Sequence, residues 1–186
     1  MALLRNLKHS GFSLLGGIPS KWRTLEGDSK SDSLWLNTYL QYDILSPWMV
    51  GRLKNEVSMK SYYEGVVKQD IAFLKDKGKK YLPVVFPGFS WYNLQNARGN
   101  QAEFNHAPRH CGLFLEKQFL ALKKMGIKDF YLAMLDEFDE GTAVLPTVIN
   151  PNQLPKDNKW KFVIPEYDNC RVNSSFYMLE KVKSVK

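Results

Sequence analysis

Residues 81–86 and 130–135 are apolar at nearly every position, and each run ends directly in a polar, aromatic or acidic stretch. A short, continuous apolar run suits a strand buried on both faces, as in a parallel sheet covered by helices. Three further short runs read as strands, at residues 11–15, 42–45 and 161–164. Helical patterns fall between them. Residues 1–8 read as a helix end. Asp32 or Ser33 can cap a helix running to about Tyr39. Ser61 can cap a longer helix whose apolar positions Tyr63, Val66, Val67, Ile71 and Leu74 fall on one face, with Gly78 as its stop. Residues 113–125 form the next helix, stopped by Gly126, and Ser174 opens the last.

Strands that alternate with helices and look buried predict an α/β fold with a parallel sheet. Loop lengths choose between an open sheet and a closed barrel. Loops before strands are short, as at residues 77–80 and 126–129, whereas loops after strands are long and carry Trp, Tyr, Asn, Arg, Asp and Glu. A barrel enzyme builds its site from such loops. The Gly-rich fingerprint of a nucleotide-binding sheet is absent, since Gly16-Gly17-Ile18-Pro19 does not match it. The expectation is therefore a (β/α) TIM-type barrel, apparently incomplete, with about five of the eight units that such a barrel has. Residues 1–186 are expected to form a single partial barrel domain. The missing units would precede Met1, or the chain is a shortened relic, or it self-associates to complete the barrel.

The chain carries a net charge of +7. Its lysines cluster where helices end, at Lys75, Lys77, Lys79 and Lys80 and again at Lys181, Lys183 and Lys186. Cations suit those positions electrostatically, so they read as solvated faces rather than a nucleic-acid surface. No nucleic-acid partner is expected, although a basic structural or nucleic-acid-binding protein is the last alternative. No run of 18 apolar residues exists, so no membrane span is expected, and no signal peptide is recognisable. Cys111 and Cys170 lack the spacing of a metal or redox motif and read as two reduced thiols.

The strongest chemical signal is Asp136-Glu137-Phe138-Asp139-Glu140-Gly141-Thr142, directly after the apolar run at 130–135. Crowded carboxylates raise one another's pKa, so that one serves as an acid while another stays a base. A turn eased by Gly141 can bring Glu137 and Glu140 toward one pocket, the arrangement of most glycoside hydrolases. A solvated turn, a Ca²⁺ or Mg²⁺ site and a helix cap remain alternatives on the residues alone. A second signal is Pro87-Gly88-Phe89-Ser90-Trp91-Tyr92-Asn93: sugar rings pack on aromatic faces while their edges take hydrogen bonds from amides and hydroxyls. Trp48 and Trp22 add aromatic surface after earlier strands. A third is Asn105-His106-Ala107-Pro108-Arg109, in which Arg109 can orient a carboxylate of the acidic loop. His106 and His110 read as ordinary loop residues. The substrate-binding candidates are thus Trp48, Phe89, Trp91, Tyr92, Asn93, Arg109, Asp136 and Asp139.

These segments resemble the bacterial endo-α-mannosidase-like proteins of glycoside hydrolase families 99 and 71. The resemblance rests on Gly16-Gly17-Ile18-Pro19 with Trp22-Arg23, Ser46-Pro47-Trp48 with Gly51-Arg52, and Gly88-Phe89-Ser90-Trp91. It continues with Asn105, Pro108-Arg109 and residues 136–142, and spans about residues 11–145. It implies a (β/α)8 barrel acting on α-linked mannosides or glucans without metal or other cofactor. Glu137 and Glu140 match the family's Glu-x-x-Glu-Gly pattern, with Glu137 as general base and Glu140 as general acid. The partner implied is an oligo- or polysaccharide, and the location secreted or periplasmic. Phe138 and Asp139 depart from the family's Trp and His, and Phe89 stands where it tends to have Tyr. A non-catalytic carbohydrate-binding remnant is the alternative these departures raise.

Overall fold

In a computed structural model of the chain, residues 2–156 and 159–184 are described. Met1 and Lys186, part of the helix-end expectations above, lie outside them. The chain divides into two compact units built from non-contiguous stretches. The first comprises Met1–Met49, Ser61–Val84 and Asp129–Tyr131; the second comprises Val50–Lys60, Val85–Lys128 and Leu132–Lys186.

The first unit is α/β with parallel strands. After helix α1 (Ala2–His9) come β1 (Leu15–Ile18), α2 (Leu34–Tyr39) and β2 (Ile44–Pro47). β1 and β2 pair in parallel with Leu15 opposite Ile44 and Ile18 opposite Pro47. Both strands lie a few residues later than the apolar runs indicate, and Gly16 and Gly17 sit inside β1 rather than in a turn. At Gly16 a Cβ would fall 2.4 Å from the Tyr42 ring, so a side chain there would have to displace that ring. Asp32 caps the start of α2 by accepting the Leu34 N–H at 2.8 Å.

The long helix begins earlier than Ser61. α3 (Glu56–Tyr62) is opened by a reciprocal pair: Ser58 N–H donates to Asn55 Oδ1 at 2.9 Å, and Asn55 N–H donates to Ser58 Oγ at 3.1 Å. The helix widens through a π turn, Tyr63–Val67, and continues as α4 (Lys68–Asp76). Gly78, at φ +64°, follows its end. Beneath the helix, buried Asp70 accepts from Trp22 Nε1 at 2.9 Å and Arg23 Nε at 2.7 Å. This consumes Trp22 in packing, since it is fully buried.

The run at 81–86 is two strands, not one. β3 (Lys80–Tyr81) pairs in parallel with β2, and β4 (Val84–Val85) belongs to a separate ladder with β5 (Tyr131–Leu132). Pro83 lies at the break and has no N–H for a ladder, though its carbonyl accepts from Tyr131 N–H at 2.9 Å. β4 and β5 each pass from the first unit into the second.

The second unit holds most of the loops. The stretch at 87–109 contains a helix the pattern does not reveal, α5 (Tyr92–Ala97). α6 (Leu113–Lys124) turns Phe114, Leu115, Phe119 and Leu122 inward. Its Gln118 is buried, with Nε2 donating to the Phe86 carbonyl at 2.7 Å. Residues 161–164 do not form a strand; Val163 and Ile164 are buried as irregular chain leading into a 3-10 turn at Pro165–Asp168. Helix α7 (Tyr177–Ser184) follows, and Ser174 Oγ accepts from Phe176 N–H just before it. Cys111 and Cys170 are joined by a disulfide, with Cα atoms 5.4 Å apart, which corrects the expectation of two free thiols. No described helix is long and apolar enough to cross a membrane.

Candidate functional site

Residues 136–142 form a tight reversal directly after β5. The Phe138 N–H donates to the Asp136 carbonyl at 3.0 Å, and the Thr142 and Ala143 N–H groups both return to the Glu137 carbonyl at 3.1 and 3.0 Å. Gly141 takes φ +70°, and a Cβ there would lie 2.8 Å from Val163 Cγ2, so the turn requires glycine. The loop is anchored at three backbone carbonyls. Ser90 N–H donates to Glu140 O at 2.7 Å, Asn93 Nδ2 donates to Asp139 O at 2.7 Å, and Arg109 donates to Gly141 O from Nη2 at 2.8 Å and from Nε at 3.2 Å.

This fixes the two glutamates in different surroundings. The hydroxyl of Thr142, itself fully buried, donates to Glu137 Oε2 at 3.2 Å. Burial first, then the negative charges of Glu137 and Asp139, push the Glu140 carboxyl above its ordinary 4.5, against a smaller opposing pull from Arg98. Both residues are half-buried, while Asp136 and Asp139 are exposed. Among the described residues the acids do not join a group of three or more metal-ligating side chains.

The aromatic segment is divided in its duties. Phe89 is 2% exposed and forms an antiparallel bridge with Ala107. Its ring meets Trp91 edge-on at 4.6 Å, and both rings pack against Gly51, where a Cβ would fall 2.9 Å from Phe89. Phe89 therefore supports Trp91, and the half-buried Trp91 and Tyr92 are the rings with accessible surface. Tyr92 meets Phe104 edge-on, Phe104 meets Tyr167 in the same way, and the Lys161 ammonium stands 4.3 Å from the Tyr92 ring centre.

Asn93 and Arg109 hold backbone rather than carboxylates. Asn93 is 1% exposed: besides the Asp139 carbonyl, its Nδ2 donates to Lys161 O at 2.7 Å and its Oδ1 accepts Lys161 N–H at 2.9 Å. Arg109 is also 1% exposed, and its Nη1 donates to the Tyr177 hydroxyl at 3.3 Å. The expectation that it pairs with an acid of the loop is corrected: the guanidinium fork takes one carbonyl, because the turn aims Gly141 O at it. Gly88 makes room, since a Cβ there would fall 2.6 Å from Arg109 Cγ.

The second unit thus brings together Phe89, Trp91, Tyr92, Asn93, Arg109, Asp136, Glu137, Asp139 and Glu140. Trp48 belongs to the first unit, where its N–H donates to Ile18 O at 2.9 Å and its side chain is partly exposed. Sequence reasoning assigns no role to Ser90, whose N–H holds the Glu140 carbonyl and whose Oγ accepts Asn105 N–H at 3.2 Å, nor to Thr142 as the donor to Glu137.

No protein-family model matches the chain, and no curated protein does either. Among solved structures, the chain is similar to the GH99 endo-α-mannosidase from Bacteroides thetaiotaomicron. In one structure the TM-score is 0.57 at 15% identity, covering 92% of this chain and 43% of that one. In the complex of that enzyme with bis-tris-propane the TM-score is 0.54 at 15% identity, covering 78% and 41%. At this identity the likeness is one of fold: the chain has a GH99-like fold over less than half the length of those structures.

Proposed function

We propose that this chain is part of a glycoside hydrolase barrel, contributing the later βα units, and that Glu137 and Glu140 cleave an α-linked mannoside or glucan. The observation that carries this reading is the asymmetry of the pair. Burial and two neighbouring acids favour the protonated form of Glu140, as a general acid requires. Glu137 is oriented by Thr142. The GH99-like fold and the Glu-x-x-Glu-Gly spacing support the same reading.

On an α-mannoside, whose 2-hydroxyl lies on the face opposite the departing oxygen, Glu137 removes the proton of that hydroxyl, whose oxygen attacks C1; an α-glucan has its 2-hydroxyl on the same face as the departing oxygen and would not react by this route. The C1–O glycosidic bond breaks and the departing oxygen takes the proton of Glu140. Water, deprotonated by Glu140, then opens the resulting three-membered ring at C1, and Glu137 returns its proton to O2. Trp91 and Tyr92 offer rings for a sugar face. Asn93, Arg109 and Phe89 act by holding the acidic loop and Trp91. Asp136 and Asp139 face solvent, with room to bond sugar hydroxyls. A second copy of the chain, or the rest of a longer one, would complete the barrel. The Cys111–Cys170 bond supports an exported location, since disulfides persist in oxidising compartments.

The test is Glu140→Gln against α-mannosides and α-glucans with an ordinary alcohol leaving group. Loss of general-acid catalysis is expected to cut turnover by roughly 10²–10⁴-fold, while binding persists and a glycosyl fluoride, which needs no proton to depart, is spared that loss in the first step and is slowed only in the second. Unchanged hydrolysis would overturn the assignment. Saccharide binding that Trp91→Ala abolishes, with no turnover by the unaltered protein, would establish the carbohydrate-binding remnant instead. That second reading is motivated by Phe138, Asp139 and Phe89, which depart from the pattern of the family the chain resembles.

A further inference from the structure

Tyr92, one of the two rings offered to a sugar, starts an aromatic line that leads away from the acidic loop within the second unit. Tyr92 meets Phe104, and Phe104 meets Tyr167, which is 49% exposed. Tyr167 in turn lines a cleft of about 560 Å³ together with Asn152, Lys156, Trp160, Lys161 and Phe162. This volume lies within the range of ligand sites, roughly 300–1,000 Å³. Its groups are open to a ligand: Asn152, Lys156, Lys161 and Tyr167 are exposed, and Trp160 and Phe162 are half-buried. The cleft adjoins the acidic loop through Asn93, whose Nδ2 bonds the carbonyls of Asp139 and Lys161 alike, each at 2.7 Å.

Rings and charge together define the ligand. Exposed Trp and Tyr rings pack on a sugar face, and Asn152 and Tyr167 bring an amide and a hydroxyl for its edge. The charge is positive: residues 156–161 hold three lysines against one aspartate. The Lys161 ammonium stands 4.3 Å from the Tyr92 ring centre, and the Lys159 ammonium 5.1 Å from that of Trp160. The ring face attracts the cation, which holds the charge on the aromatic surface. Among the described residues no carboxylate lies within ion-pair distance of Lys156 or Lys161. A neutral sugar would use the rings and leave this charge idle. We propose that the cleft binds an acidic sugar, one carrying a carboxylate or a sulfate, and that the glycan cleaved beside it is therefore acidic. The binding stands on the cleft alone; the substrate class rests on the hydrolase reading. Exposed Asp136 and Asp139 repel an anion, so the charge belongs on a ring next to the one cleaved, facing Lys161. The same repulsion disfavours a nucleic-acid strand, which carries a phosphate at every residue.

The test is a titration of the full chain, followed by amide NMR shifts, with methyl α-mannopyranoside, its C6 carboxylate, its C6 sulfate ester and a short oligothymidylate. At least one acidic sugar is expected to saturate and to shift the amides of Lys161, Phe162 and Tyr167. It is expected to bind about tenfold or more tightly than the neutral glycoside, the gain of a charge-assisted hydrogen bond. Lys156→Gln combined with Lys161→Met leaves the rings in place; it is expected to remove that preference and to leave the neutral glycoside's affinity unchanged. Tyr167→Ala is expected to weaken both sugars. Near-UV circular dichroism checks that each variant folds. If the lysine variant does not, the preference is read against salt, which is expected to weaken the acidic sugar alone. Absence of acidic-sugar binding, equal binding of the neutral glycoside, a preference kept in the folded lysine variant, or tighter binding of the oligothymidylate would each overturn the inference. Hydrolysis unchanged in Glu140→Gln, with acidic-sugar binding intact, would instead strike the hydrolase reading and leave the binding cleft standing.

Discussion

Replacing both cysteines, by Cys111→Ser at the exposed position and Cys170→Ala at the buried one, removes a cross-link between residues 59 apart in sequence. The ring it closes contains the whole acidic loop. Its effect falls chiefly on the unfolded chain, because the folded segments are also tied by Asp168: its Oδ1 accepts from Asn105 Nδ2 at 2.6 Å and its Oδ2 from His110 N–H at 3.2 Å. Asp168 therefore keeps the two segments adjacent in the folded double variant. For a loop of this length, chain entropy gives a loss of about 4 kcal/mol. In a chain of this size, each kcal/mol moves the midpoint by roughly 2–4 °C, so the expected drop is roughly 8–16 °C. Thermal unfolding followed by near-UV circular dichroism, oxidised protein against double variant, measures it. Intact mass after alkylation under denaturing, non-reducing conditions is expected to show no alkylated thiol in the unaltered protein. Two alkylated thiols would refute the bond. A midpoint shift below about 3 °C in bonded protein would refute the entropy argument.

Two other perturbations read the site's scaffold. The raised Glu140 pKa sets a sign: the folded chain holds that proton more tightly than the unfolded chain, so the associated stability is present below the ordinary value of 4.5 and is lost as pH climbs through the folded value. Glu140→Gln is accordingly expected to melt higher than the unaltered protein at pH 7 and to lose that advantage near pH 4 (about the ordinary glutamate range); a gap constant across this window would contradict the burial argument. Asn93→Ala strips bonds from the Asp139 and Lys161 carbonyls and from the Lys161 N–H. At about 1 kcal/mol for each bond, chemical denaturation should show a loss of roughly 3 kcal/mol, and a loss under 1 kcal/mol would mean that solvent replaces the staple.

Local signals in the sequence carry the elements whose causes are local. The stops at Gly78 and Gly126 are readable because both take positive φ, which glycine adopts without strain. The cap at Asp32 is readable because its acceptor serves an N–H two residues on. Hydrophobicity alone runs the third strand through Pro83, where pairing with β2 gives way to pairing with β5. Residues 161–164 have a strand's composition but no strand partner; Val163 is buried against Gly141 and Lys161 is stapled by Asn93. Two cysteines 59 residues apart carry no spacing from which their pairing could be read.

The candidate site follows the same division, and this bears on its chemistry. Glu137 and Glu140 are legible because an apolar strand runs straight into them. What holds the loop that carries them is not legible, since it arrives from far along the chain: Asn93 reaches the loop across 46 residues and Arg109 across 32. Both long-range residues bind backbone carbonyls and leave the carboxylates alone. A guanidinium bonded to Glu140 would stabilise its charged form and oppose the acid role. Bonded to Gly141 O, it fixes the turn while leaving burial and the neighbouring acids to hold the proton on Glu140. The Arg109 charge is then uncommitted to either glutamate, and its work is done on the backbone of the turn that carries them.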